Sequence, residues 1–315
     1  MSDTAIRSSD VLVLGGGGVL GEAWMNALLA GLEESGRFDP RGFGLYLGTS
    51  AGSIVAASLA AGLAPASRLG ALPEQPAVSV SEAQEPMSAL RLTLGIAAGL
   101  GNAAAAPLAS LALSSTSAGG ALLRRAALSR APLGRRSLAE LGRAVEASGV
   151  RWDGRLRIAA VELESGRRVM FGAPGAPELP VAAAVQASCA IPGVFEPVRA
   201  GGRTYVDGGV WSPTNMDAAE VGRGERVLCL NPTGSIRPAA GSIMGALGTV
   251  SRGMAAAEAL ALRHRGASVT TINPDEGAAA AMGTNLMDPR PRGAVIAAGL
   301  AQGRRLAMDR PAEAA

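Results

Sequence analysis

Residues 11–21 read VLVLGGGGVLG and residues 43–61 read FGLYLGTSAGSIVAASLAA, and these two stretches decide the fold class. In the first, a short apolar run, Val11–Leu14, ends at four glycines, Gly15–Gly18. A buried strand entering a tight turn has this form. From Val19 to Glu34 the period changes: Leu20, Trp24, Ala27, Leu28 and Leu32 fall on one side of a helix. Gly36 and Pro40 then end it. Phe43–Leu47 is a second apolar run followed by glycine, and Ser53–Ala61 reads as a buried helix rich in Ala, Val and Leu. Strand, helix, strand and helix in this order predict an α/β fold, with a mostly parallel central sheet covered by helices on both faces.

The rest of the chain extends this pattern. Ser137-Leu-Ala-Glu140 has the form of a capping box opening a helix to Ala147. Leu156–Leu163 and Arg168–Phe171 predict a hairpin around Glu164-Ser165-Gly166. Leu179–Ser188 predicts a helix, Thr204–Val206 a strand ending at Asp207-Gly208-Gly209, and Arg226–Leu230 and Ser268–Ile272 two more strands. Ile243–Arg265 and Gly293–Met308 are the last predicted helices. The stretch 66–135 is different: no charge lies between Arg91 and Arg124. Its apolar content is largely alanine, and Asn102, Pro107 and several glycines interrupt it, so a helical insertion is expected rather than a membrane span. Arg124, Arg125, Arg130, Arg135 and Arg136 follow it. They read as a solvated face; the sharper reading is an apolar patch edged by cations, suited to peripheral contact with an anionic membrane. The expected organisation is one α/β domain over 1–315, with a motif-bearing core at 10–215, the insertion at 66–135 and a C-terminal strand–helix extension at 220–308.

Composition excludes several chemistries. All 29 basic residues are arginine. Without a lysine amine the chain cannot be a Schiff-base enzyme or a P-loop NTPase. One histidine, His264, and two cysteines, Cys189 and Cys229, are too few for a Cys/His zinc cluster. A net charge of +3 and 3% aromatic residues argue against nucleic-acid binding. Met1–Asp10 lacks the charged and apolar regions of a secretory signal, and the two cysteines lack framework spacing, so a cytoplasmic location is expected.

Gly48-Thr49-Ser50-Ala51-Gly52 fits G-x-S-x-G between a predicted strand and a predicted helix. In such a nucleophile elbow the turn is sharp, the two glycines let strand and helix approach closely, and the serine hydroxyl is exposed at the positive end of the helix dipole. Gly16-Gly17-Gly18-Val19-Leu20-Gly21 occupies a similar strand-to-helix turn and has two functional readings. As a dinucleotide fingerprint, met by Gly16, Gly18 and Gly21, it wants an acid at the end of the second strand. That strand runs instead into Gly48-Thr49-Ser50. As an oxyanion hole, it presents bare backbone N–H groups to a carbonyl oxygen that becomes negative.

A serine hydroxyl also needs a base. Ser50, Asp207 and His264 follow the chain order of an α/β-hydrolase triad. However, His264 falls in a helical run between Arg263 and Arg265, and the elbow follows the second strand rather than a later one. A carboxylate is the other candidate. Asp207, at a strand end before two glycines, is either a plain Asp-Gly turn or a base whose pKa rises in a poorly solvated cleft. Asp217 is the weaker candidate and reads better as a helix start.

Taken in order, these motifs resemble those of the patatin-like phospholipases, a family of serine acyl hydrolases. The family pattern is a strand, a G-G-G-x-[RK]-G loop, G-x-S-x-G and a distal D-G-[AG]. The chain carries Gly16–Gly21, Gly48–Gly52 and Asp207–Gly209 in matching contexts, and Ala187-Ser-Cys-Ala-Ile-Pro-Gly-Val-Phe195 is similar to the family's stretch before the aspartate. The resemblance covers 10–215. It implies Ser50 as nucleophile and Asp207 as base without histidine, with the oxyanion hole at Gly16, Gly17, Gly18 and Ala51, and Gly21, Gly48, Gly52, Gly208 and Gly209 as motif glycines. It also implies a lipid or other ester as substrate, with no metal or cofactor. Leu20 departs from the pattern, which has Arg or Lys at this position.

Overall fold

The computed structural model describes residues 10–70, 125, 126, 128, 134–235 and 243–308. Nearly all of the expected 66–135 insertion, with Arg124 and Arg130, therefore lies outside the described residues. Among the described residues eight strands form one sheet. They are β1 (Val11–Leu14), β2 (Leu45–Thr49), β3 (Leu156–Glu162), β4 (Arg168–Phe171), β5 (Val198–Ala200), β6 (Arg203–Asp207), β7 (Arg226–Leu230) and β8 (Ser268–Ile272). Seven helices are described: α1 (Gly18–Glu33), α2 (Ala51–Ala60), α3 (Ala139–Ala147), α4 (Val181–Cys189), α5 (Ile243–His264), α6 (Glu276–Met282) and α7 (Arg292–Met308). None of the described helices is long and apolar enough to cross a membrane.

β3, β2, β1, β7 and β8 run parallel, while β4, β5 and β6 are antiparallel additions. Alternation along each strand divides the core between two faces. Leu12, Leu14, Tyr46, Leu156 and Ile158 point to one face, against Trp24 and Leu28 of α1, Val55 of α2, Val185 of α4 and Val295 of α7. Val11, Val13, Leu45, Leu47, Val227 and Cys229 point to the other, against Ala255, Ala259 and Leu262 of α5. The expected architecture of a mostly parallel sheet with helices on both faces is thus the observed one. β7 and β8, from the C-terminal extension, complete it beside β1.

The capping box does not form. Helix α3 starts one residue late, at Ala139, and its N-cap, Leu138, makes no side-chain cap. Ser137 Oγ accepts the Ala139 N–H at 3.1 Å, and Glu140 pairs with Arg143 on the solvent side. With the serine bound to a nearer amide and the glutamate to a cation, the reciprocal pair has no partners left.

β3 carries the arrangement that matters most. β4 pairs with Ile158–Val161 along one edge. β2 pairs with Leu156–Ala159 and β6 with Ala160–Glu162, so both must lie on the opposite edge. β2 runs along it to Thr49, opposite Ala159, and β6 runs the other way to Asp207, opposite Ala160. The C-terminal ends of β2 and β6 therefore meet end to end.

Candidate active site

Ser50 stands where β2 turns into α2, with φ 51° and ψ −123°. Among the described residues Asn215 is the only other non-glycine with positive φ. Holding such a backbone costs about 1–3 kcal/mol, so its surroundings must over-determine it. The Ser50 N–H donates to Ser188 Oγ at 2.8 Å, and Ser188 Oγ donates to the Ala159 carbonyl at 2.6 Å. The Ser50 carbonyl accepts Ser53 Oγ at 2.6 Å and the Ser53 N–H at 2.8 Å. Helix α2 leaves the turn so close to β1 that a Cβ on Gly52 would collide with the Leu14 carbonyl. The second glycine of G-x-S-x-G is thus a steric requirement.

Asp207 ends β6 and is only 5% exposed. No hairpin turn follows it. Its Oδ1 accepts the Gly209 N–H at 2.6 Å and caps a short helical turn, Gly208–Val210. A Cβ on Gly208 would collide with the Ala159 carbonyl, so the chain after Asp207 is pressed against β3. Burial raises the Asp207 pKa to about 6, against the opposing effects of the Ser50 side-chain hydrogen bond and the Gly209 N–H. The end-to-end strands thus set Ser50 and Asp207 next to each other.

The glycine loop lies beside them: a Cβ on Gly16 would sit 3.4 Å from that of Ser50. One of its expected oxyanion donors is engaged elsewhere, because the Gly16 N–H donates to the Pro213 carbonyl at 2.8 Å. The N–H groups of Gly17, Gly18 and Ala51 have no partner among the described residues. Gly17 and Gly18 stand at the start of α1 and Ala51 at the start of α2, where the helix dipoles favour negative charge. Leu20, in place of the family's cation, is fully buried in the core.

The other two expected bases are placed elsewhere. His264 is exposed at the end of α5, just before β8. Because β8 is parallel to the β7–β1–β2 run, this is the sheet edge opposite to that of Ser50. Asp217 is bound by Arg168 at 2.5 Å and 2.9 Å. Sequence reasoning missed Ser188, Ser212, Thr214 and Asn215. Ser188 lay inside the quoted 187–195 stretch, but nothing in a lone serine marks it as a support for the elbow. Asn215 tolerates a left-handed backbone, a weak signal that many turns share.

The patatin-like phospholipase family model matches residues 12–220. The chain belongs to this family. Membership makes it a hydrolase of lipid esters. No curated protein matches the sequence. Among solved structures, VipD from Legionella pneumophila is similar at 15% identity and a TM-score of 0.41, over 97% of this chain and 68% of VipD. The type III effector ExoU is similar at 16% identity and a TM-score of 0.39, over 97% of this chain and 54% of that one. A second ExoU structure, from Pseudomonas aeruginosa and in complex with SpcU, gives 22% identity and a TM-score of 0.32, over 94% and 53%. The chain spans about half the length of ExoU.

Proposed function

We propose that this patatin-like protein cleaves lipid carboxylic esters through an acyl-enzyme on Ser50, with Asp207 as the only general base. Asp207 takes the Ser50 Oγ proton as Oγ attacks the ester carbonyl carbon. The carbonyl oxygen becomes an oxyanion, held by the N–H groups of Gly17 and Gly18 and that of Ala51. One such donor contributes about 2.7–4 kcal/mol in the transition state. As the intermediate collapses, the C–O bond to the alcohol breaks and Asp207 returns the proton to the leaving oxygen. Water then attacks the acyl-enzyme, again giving a proton to Asp207, and the carboxylic acid departs as Ser50 recovers it.

The observation that carries this reading is the junction on β3, which sets Ser50 at the end of β2 beside the buried Asp207 at the end of β6, where burial raises the carboxyl pKa to about 6. A carboxylate with this pKa is a stronger base than an ordinary aspartate yet remains ionised at neutral pH. Imidazole has no part, since His264 is at the far edge. The test is labelling by a fluorophosphonate probe alongside hydrolysis of a p-nitrophenyl ester. Ser50→Ala should abolish labelling, Asp207→Asn should lower kcat by at least 100-fold, and His264→Ala should leave both readouts within twofold. Labelling that survives Ser50→Ala would refute the assignment.

A further inference from the structure

One segment, Ser212–Met216, touches all three parts of the site. The Pro213 carbonyl accepts the Gly16 N–H of the glycine loop at 2.8 Å. The Thr214 carbonyl accepts Thr49 Oγ1, next to Ser50, at 3.4 Å. Asn215, held at φ 50°, directs its Nδ2 to Thr49 Oγ1 at 3.1 Å and to the Gly208 carbonyl, next to Asp207, at 3.2 Å. It also bonds the Ser212 carbonyl at 2.7 Å, which closes the segment on itself. A shift of this segment would move the nucleophile, the base and the oxyanion loop together.

The segment is held from behind by one side chain of α5. Glu258 Oε2 accepts the Thr214 hydroxyl and, at 2.9 Å, the Met216 N–H. The Ser212 side chain favours the ionised form of the same carboxyl. Ser212 Oγ in turn accepts the N–H groups of Thr214 and Asn215, at 3.3 Å and 3.2 Å. Glu258 thus gathers donors from two residues of a five-residue stretch. It lies beyond the family-matched region, and the site's own motifs do not include it. One charged group acts on it, Asp217, which is itself bound by Arg168; Arg168 also donates to Asn215 Oδ1 at 3.3 Å. Loss of water around its carboxyl, and then Asp217, push the Glu258 pKa up.

We infer that Glu258 is a positioning residue: by gathering the donors of Thr214 and Met216 it sets the segment that aligns Ser50, Asp207 and the glycine loop. The inference rests on the Ser50–Asp207 reading above. A residue acting through geometry at the reacting atoms changes kcat and the reactivity of Ser50 more than KM for a small ester. A residue that only stabilises the fold changes the melting temperature and leaves kcat below melting unchanged.

The test uses the full chain with p-nitrophenyl butyrate and a fluorophosphonate probe, at a temperature where circular dichroism shows each variant folded. Glu258→Leu removes the acceptor at similar volume. It is expected to lower kcat and the labelling rate by at least tenfold while KM changes less than twofold. Glu258→Gln keeps an acceptor oxygen and should recover kcat to within about threefold of the parent. A folded Glu258→Leu with parental kcat, or a Gln variant as slow as the Leu one, overturns the inference. If Glu258→Leu does not fold, Thr214→Val decides: a kcat loss of fivefold or more supports the role, and parental kcat overturns it. Ser50→Ala runs in parallel, so persistent labelling there condemns the dyad and not the role of Glu258.

Discussion

At Leu20 the family's usual cation is replaced by a side chain with 0% exposure, packed into the same cluster as Trp24 and Leu28. The backbone of this residue still serves the loop, since its N–H donates to the Leu286 carbonyl at 3.1 Å. A contact to the C-terminal extension thus ties down the loop, whatever the missing cation does elsewhere in the family. Restoring the cation would not restore the family's geometry. Leu20→Arg places an unpaired charge in the core and should destabilise the protein by about 3–5 kcal/mol, the usual penalty for an uncompensated buried charge. Urea unfolding measures it; a shift below 1 kcal/mol would mean that the arginine finds a route to solvent. The residues of the site were legible to different depths. Ser50 and Asp207 stood out because glycines beside a strand end are steric signatures. Ser188 and Asn215 did not, because their roles rest on side-chain hydrogen bonds to residues distant in sequence, Ser50 and Ala159 for the one and Thr49 for the other.

Among the elements, β3 does the most to build the site. Strand alternation and the glycine stops placed β1, β2, β7 and β8 well, and the β3–β4 hairpin follows from Glu164-Ser165-Gly166. Two elements went unseen. β5 is three residues long and only part-buried, too short for a period. α6, Glu276–Met282, is an alanine-rich turn capped by Asp275. The end-to-end meeting of β2 and β6 was also invisible, because pairing is non-local and no pattern in one strand names its partners. Its register can be tested. One alanine inserted between Ala159 and Ala160 would add about 3.3–3.4 Å of strand and reverse the facing of one side of the junction. Hydrolysis and fluorophosphonate labelling should both vanish even in a variant that still folds. Retained labelling at the parental rate would mean that Ser50 does not depend on Asp207 for its reactivity.

For the molecule as a whole, the buried Asp207 trades stability for reactivity under the proposed mechanism. Its folded pKa of about 6 lies above the ordinary aspartate value of 3.8. The native state therefore holds this proton more tightly than the unfolded chain does. The resulting stabilisation is complete below pH 3.8 and is lost as pH rises to about 6. At one pKa unit per 1.36 kcal/mol, the loss is about 3 kcal/mol. Activity runs the other way: kcat/KM should climb through pH 6 and level off once the base is ionised. At pH 8 Asp207→Asn should be inactive yet melt at a higher temperature than the parent, measured by calorimetry. An unchanged or lower melting temperature would show that ionised Asp207 carries no penalty.

The junction on β3 has one more consequence. Ser50 reaches it from the early part of the chain and Asp207 from far downstream, with β3 between them. A nascent chain leaving the ribosome presents its serine long before its carboxylate exists. Until β6 has been synthesised and has docked against β3, the emerging polypeptide holds Ser50 without Asp207, and the pair proposed for catalysis is incomplete.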